Sequence, residues 1–182
     1  MSPPVLIVVD VQRGFDDAEY WGPRDNPACE ANIGRLLEQW QAAGDPVVLV
    51  RHDSGAADEG SPLTPGQEGN DFKDVVAGVA PDLLVAKSTN SAFYGTPDLQ
   101  AWLQERGAEE VVICGITTNH CCETTARMAG NLGYDVRFVL DATHTFNRGD
   151  LSADELAHAT ATNLDDEFAT VVSTDAIVGV RA

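Results

Sequence analysis

Apolar residues fall in six short runs, and the stretches between them carry the wider spacing of half-buried helices. Val5 to Val9 is an unbroken β-branched and leucine run, the pattern of a strand covered on both faces. Asn26-Pro27 then supplies a helix cap and a first-turn proline; Ile33, Leu36, Leu37 and Trp40 form one stripe that stops at Gly44. Val47 to Val50 reads as a second buried strand. Residues 53–70, rich in Gly, Asp, Ser and Pro, read as a long functional loop. Leu83 to Ala86 is a third strand, and Thr96-Pro97 opens a helix through Leu99, Trp102 and Leu103 that Gly107 ends. Val111 to Cys114 is a fourth strand, followed by a helix from about Asn119 to Leu132 with a stop at Gly133. After a fifth strand, Val136 to Leu140, Ser152 and Glu155 stand at the two positions of a capping box for a helix to about Leu164. Val171 and Val172 make the sixth strand.

Six apolar strands separated by helices predict a three-layer α/β/α fold with a six-stranded parallel sheet and right-handed crossovers. The 182 residues, with no linker, repeat or low-complexity tract, form one domain over 1–182. In this architecture chemistry gathers at the carboxyl ends of the strands, near the switch in strand order.

Three strand ends stand out. Asp10 closes the first strand and is either a cap for the following loop or a functional carboxylate. A phosphatase built on an aspartyl nucleophile would carry a second acid two residues on, and Gln12 stands there. Lys87 follows the third strand, either as a solvated lysine or as an ammonium that holds a neighbouring carboxylate or thiolate ionised. The fourth strand runs into Gly115-Ile116-Thr117-Thr118-Asn119-His120-Cys121-Cys122, where Gly115 permits a tight turn. Cys121 falls in the first turn of the next helix, whose free N–H groups and dipole favour a thiolate over a thiol of ordinary pKa near ~8.5. The alternative is a packed thiol; its place after the turn favours a nucleophile. Cys114, in the strand, and Cys29 and Cys122, on helices, read as small buried hydrophobes.

Composition trims the remaining classes. Eleven basic residues against 29 acidic ones give a net charge of −18, which repels phosphate backbones and anionic headgroups, so neither nucleic acid nor a membrane surface is an expected partner. The acidity is a solvated coat, as in salt-adapted proteins, or a field that favours cationic or neutral substrates. No apolar run approaches a bilayer span and the start lacks a basic n-region, so a cytoplasmic location is expected. The four cysteines form no C-x-x-C pair, and the four histidines do not fall at zinc-finger spacing. No G-x-G-x-x-G follows the first strand, against a nucleotide-binding redox protein.

Taken together, Val9-Asp10-Val11-Gln12, His52-Asp53-Ser54, Ser61-Pro62-Leu63, Lys87-Ser88 with Ser91-Ala92-Phe93, Gly115 to Arg127, Gly133-Tyr134-Asp135-Val136 and Asp141-Ala142-Thr143 resemble the isochorismatase-like cysteine hydrolase superfamily. That superfamily includes nicotinamidases and N-carbamoylsarcosine amidase. The resemblance covers nearly the whole chain and implies a Rossmann-type six-stranded sheet, a triad of Asp10, Lys87 and Cys121, and a cis peptide at Ile116-Thr117. It further implies an oxyanion hole of the Thr117 and Cys121 N–H groups, homo-oligomers, and hydrolysis of a small amide or carbamoyl compound through a thioester. The Asp-x-His start of metal-dependent nicotinamidases is absent: Val50 precedes His52 at that spacing, and 53–70 hold no histidine. No metal and no other cofactor is therefore expected. A retained Cys121 argues for C–N cleavage over the alternatives, an isochorismatase-type vinyl-ether hydrolase or a non-catalytic binding module of the same fold. Gln12, Phe15, Trp21, His52, Phe93, Tyr94 and Thr118, all after strand ends, are candidates to contact a small-molecule substrate.

Overall fold

A computed structural model describes residues 2–55 and 58–180. Ala56 and Ala57 of the predicted loop, Met1 and the last two residues of the chain lie outside the described residues. Six strands, β1 (Val5–Val9), β2 (Val47–His52), β3 (Leu83–Lys87), β4 (Glu110–Ile116), β5 (Asp135–His144) and β6 (Thr170–Val172), form one parallel sheet in the order β3-β2-β1-β4-β5-β6. The order reverses beside β1, whose neighbours are β2 and β4, and this opens the crevice in which such sheets bind ligands. The helices are α1 (Ala18–Trp21), α2 (Cys29–Ala43), α3 (Asp74–Ala77), α4 (Leu99–Glu105), α5 (Glu123–Asn131), α6 (Ala153–Leu164) and α7 (Thr174–Val180).

The unbroken apolar run of β1 has a simple cause: both faces are covered. Val5, Ile7 and Val9 meet Leu99 and Leu103 of α4, Ala126 and Ala129 of α5 and Leu164 of α6. Leu6 and Val8 point the other way, onto Ile33, Leu36, Leu37 and Trp40 of α2 and Val76 of α3, with Ile177 of α7 alongside. Each such aliphatic side chain contributes about 1.5–3 kcal/mol by leaving water. The central strand is therefore a rigid base for whatever its carboxyl end carries.

Several local expectations shift. Asn26 does not cap α2, which begins at Cys29; it sits at φ 38°, and its Nδ2 donates to the Asp141 and Thr143 carbonyls of β5 at 2.9 and 2.6 Å. Its Oδ1 accepts the Ala28 N–H at 3.3 Å, so the long-range tie adds to a local turn that stops short of capping α2. Gly115 makes no turn, since β4 continues to Ile116. It is needed because its φ is 131° and a Cβ there would run into the Val9 carbonyl of β1. The helix placed from about Asn119 divides into a π-helical turn, Thr118–Cys122, and α5. The short helices α3 and α7 carry too little periodic pattern to be read from sequence, whereas the Ser152–Glu155 capping box forms as its spacing predicts. No helix among the described residues is long and apolar enough to cross a membrane.

Candidate active site

β1, β3 and β4 end together, and each delivers one polar side chain to the crevice. Asp10 leaves β1 in the left-handed region, φ 51°, a conformation that is uncommon outside glycine and that clusters at functional positions. Its N–H donates to the Val50 carbonyl at 2.9 Å, which fixes the bend. Lys87 is the last residue of β3 and pairs in register with His52, the last residue of β2. Cys121 comes from the π-helical turn after β4.

The Lys87 ammonium is the hub. Its Nζ lies 2.6 Å from Asp10 Oδ2, 3.2 Å from His52 Nδ1 and 3.4 Å from Cys121 Sγ, so its three N–H donors meet three acceptors. His52 Nδ1 must then be unprotonated. Accordingly burial, reinforced by the Lys87 charge, holds the His52 pKa below its ordinary value and keeps the imidazole neutral. Lys87 loses solvation through burial, but the Asp10 charge and the hydrogen bonds to Asp10 and Cys121 more than compensate and raise its pKa.

Cys121 behaves differently from the helix-terminus expectation. Burial and then the Asp10 charge push its thiol up, and the opposing pull of Lys87 is smaller. Burial and Asp10 thus favour the protonated sulfur, and ionising it calls for a base. One atom is free for that: Asp10 Oδ1 is buried and has no hydrogen-bond partner among the described residues, while Oδ2 is committed to Lys87. Cys121 Sγ also lies 3.8 Å from Asn90 Oδ1, a residue that only the small polar loop after Lys87 could have signalled.

Asp10, His52 and Cys121 are spaced as a metal site would be, with ligand atoms within 4.8 Å of one another. Each of the three already contacts the Lys87 ammonium, which supplies the positive charge, so the donor set does not fit an added cation.

Cys121, 7% exposed, opens on a cavity of about 390 Å³. Phe15, Tyr20 and Trp21 form an aromatic wall, with Phe15 and Trp21 ring centres 4.9 Å apart; His52, Asn90 and Thr117 line the part near the sulfur. Of the sequence candidates, Phe15, Trp21 and His52 face this space. Gln12 lies behind it, bracketing His52: its Nε2 donates to the His52 carbonyl at 2.9 Å, and its Oε1 accepts the His52 N–H at 2.8 Å. Thr118 donates to Thr143 Oγ1 within the core, Phe93 stacks on Tyr134, and Tyr94 is 71% exposed away from the cavity. A larger depression, about 630 Å³, lies between Arg13 and Lys73, but both cations there are paired with carboxylates and no nucleophile faces it.

Residues 4–176 match the isochorismatase domain. This chain belongs to the isochorismatase family of hydrolases. The family member YrdC of Bacillus subtilis is 39% identical over 178 residues, covering 95% of this chain and 93% of its own. Nicotinamidase 3 of Arabidopsis thaliana is 35% identical over 181 residues, 93% of this chain and 84% of its own. The crystal structure of an isochorismatase-family protein from Chromobacterium violaceum superposes with a TM-score of 0.91 at 38% identity, over 98% of this chain and 93% of that one. N-carbamoylsarcosine amidase from Thermoplasma acidophilum superposes at 0.79 with 26% identity, over 96% and 98% of the two chains. The shared fold therefore extends across the whole isochorismatase domain, the crevice included.

Proposed function

We propose that this isochorismatase-family hydrolase is cysteine-dependent and cleaves the C–N bond of a small amide or carbamoyl compound through a thioester. The observation that carries the reading is the Lys87 ammonium bridging Asp10 and Cys121, with Asp10 Oδ1 left over as a base. Nicotinamidase 3 and N-carbamoylsarcosine amidase, by their names amidases, support the same bond type.

The steps follow from the proton inventory. Asp10 Oδ1 takes the Cys121 proton as Sγ attacks the carbonyl carbon, and Lys87 stabilises the ionised sulfur that burial alone would disfavour. The tetrahedral oxyanion accepts hydrogen bonds from the Thr117 and Cys121 N–H groups. Asp10 returns its proton to the nitrogen, the C–N bond breaks, and the amine or ammonia departs from the thioester. Water then gives a proton to Asp10 and attacks the thioester carbon; the sulfur leaves, recovers that proton, and the acid is released. Neutral His52, fixed by Gln12, keeps the ammonium aimed without competing as a charge.

An ammonia-release screen over small amides and ureido acids, with keto-acid release read for isochorismate, tests this, with Cys121→Ala as the control. Turnover of at least one amide or ureido acid is expected. In the variant it drops to background with the melting temperature preserved. Hydrolysis that survives the loss of the sulfur refutes the cysteine mechanism.

A further inference from the structure

Arg148 is set apart from the other arginines. The chain has nine, eight of them among the described residues. Arg13, Arg24, Arg35, Arg51, Arg127 and Arg137 are each in a salt bridge, and Arg106 lies 3.8 Å over the Trp102 ring. The Arg148 guanidinium meets no carboxylate or ring among the described residues, in a chain with 29 acidic residues to offer one. Its position is also exceptional: it lines the cavity onto which Cys121 opens.

Its backbone is held at both ends. The Arg148 N–H donates to the Leu151 carbonyl at 2.9 Å and its own carbonyl accepts the Leu151 N–H at 3.1 Å. Next to it, the Asn147 N–H donates to the Pro23 carbonyl at 3.0 Å, and Asn147 Oδ1 accepts the Ala153 N–H at 2.8 Å. A clamped turn thus presents an exposed cation to the site. A second cavity of about 370 Å³ adjoins the first and shares Tyr20, Trp21, Thr117, His120 and Arg148 with it, extending to Phe146 and Asn147. The space is therefore long: the sulfur in one chamber, the guanidinium shared by both, and stacked rings of Trp21 and Phe146, 5.4 Å apart, along the side. His120, whose Nδ1 lies 3.2 Å from Thr117 Oγ1, is kept neutral by burial and by the Arg148 charge, so it adds no charge of its own. Asp58, the one acid lining the first cavity, accepts the Gly55 N–H at 3.3 Å.

We infer that the substrate is anionic: a short amide or ureido compound whose carbonyl sits at Cys121 and whose carboxylate docks on Arg148. The inference rests on the amidase reading above and selects one branch of it. It also reverses the bias of the −18 net charge, which by itself favours cationic or neutral substrates. A planar guanidinium with free N–H groups matches a carboxylate through two parallel hydrogen bonds. The long-range repulsion of the acidic surface is screened beyond about 8 Å at physiological salt, so the local contact decides.

The test uses N-carbamoylglycine, N-carbamoyl-β-alanine and 4-ureidobutyrate, each beside its methyl ester, with wild-type protein and Arg148→Gln. Turnover is measured as ammonia release, and binding by calorimetry on Cys121→Ala with and without Arg148→Gln. The expected result is that at least one acid outcompetes its ester, that Arg148→Gln raises its KM about 10- to 100-fold with kcat nearly kept, and that the ester is unaffected. Equal treatment of acids and esters by both proteins overturns the inference and leaves the amidase reading standing. Arg148-dependent binding of an acid that is never hydrolysed keeps the anion site and refutes the amidase reading. No Arg148-dependent binding or turnover of any acid overturns the inference outright.

Discussion

Lys73 and Lys87 are the only lysines in the chain, and both are buried, at 6% and 3% exposure. Lys73 Nζ lies 2.7 Å from both Asp16 Oδ1 and Glu30 Oε1, and Glu30 also takes two bonds from Arg24 at 2.8 Å. Burial would raise the Glu30 pKa, but Arg24 and Lys73 outweigh it and hold the carboxyl well below the usual range. Every strong acceptor there is a carboxylate already satisfied, and the cluster ties the segment after β1 to α2. Lys87 instead shares its donors among a carboxylate, an imidazole and a sulfur, and leaves the other Asp10 oxygen without a partner among the described residues. Burial of a cation therefore does not distinguish the two clusters. What sets Lys87 apart is an unequal set of acceptors, one of them a sulfur, beside a carboxylate oxygen with no partner among the described residues, and the proposed mechanism uses both.

The largest expected effect that separates the two is on turnover. Lys87→Met should lower kcat by roughly 10²–10⁴, because the ionised sulfur and Asp10 lose their shared counter-charge. Initial rates normalised to folded protein check this, and retention of more than a tenth of the activity would remove Lys87 from the mechanism. Lys73→Met should leave kcat per folded molecule within about twofold but reduce stability by about 1.5–3 kcal/mol, since Glu30 loses one of its two cationic partners and keeps Arg24. The lower end of that range applies because the other partner of Lys73, Asp16, is 61% exposed. Urea titration measures it; a matching loss of turnover would erase the contrast.

The smallest effect is a pH slope. His144 is fully buried 3.9 Å from Glu30 Oε1, with neither ring nitrogen hydrogen-bonded among the described residues, and burial together with Arg24 lowers its pKa to about 3. Above about pH 6.5 neither the folded nor the unfolded chain protonates this ring. As pH falls below that, the unfolded chain takes up a proton that the folded one refuses, so stability drops by about 1.4 kcal/mol per pH unit. Glu30, with a lowered folded pKa, adds a loss of the same sign only below its unfolded value of 4.5. Urea midpoints of wild type and His144→Phe between pH 6.5 and 4.5 isolate the histidine. Parallel curves would show that His144 does not titrate as placed.

Much of the sheet was legible because strand burial is a local pattern. The run Val5–Val9 reads correctly since β1 is covered on both faces, and Ser152 with Glu155 forms its box because three residues bring the two together. Reading faltered where a distant segment overrides a local preference. Asn26 looks like a cap but is drawn to β5, and Gly115 looks like a turn but is selected by the approach of β1. Within the site, Asp10, Lys87 and Cys121 stand at strand ends in the sequence itself. Asn90 is only faintly signalled, and nothing near Arg148 distinguishes it from the other arginines.

The sequence by itself determined which residues could do chemistry and in which order the strands and helices arise, because those follow from side-chain type and from periods of two and 3.6 residues. Only the tertiary structure decided the strand order, the three acceptors of one ammonium and, among the described residues, the Asp10 oxygen left without a partner and the guanidinium that no acid meets. It also set the direction in which the Cys121 thiol pKa moves, upward through burial and the Asp10 charge. Desolvation and Coulomb energy depend on distances between atoms far apart along the chain, and those distances exist only once the chain has packed.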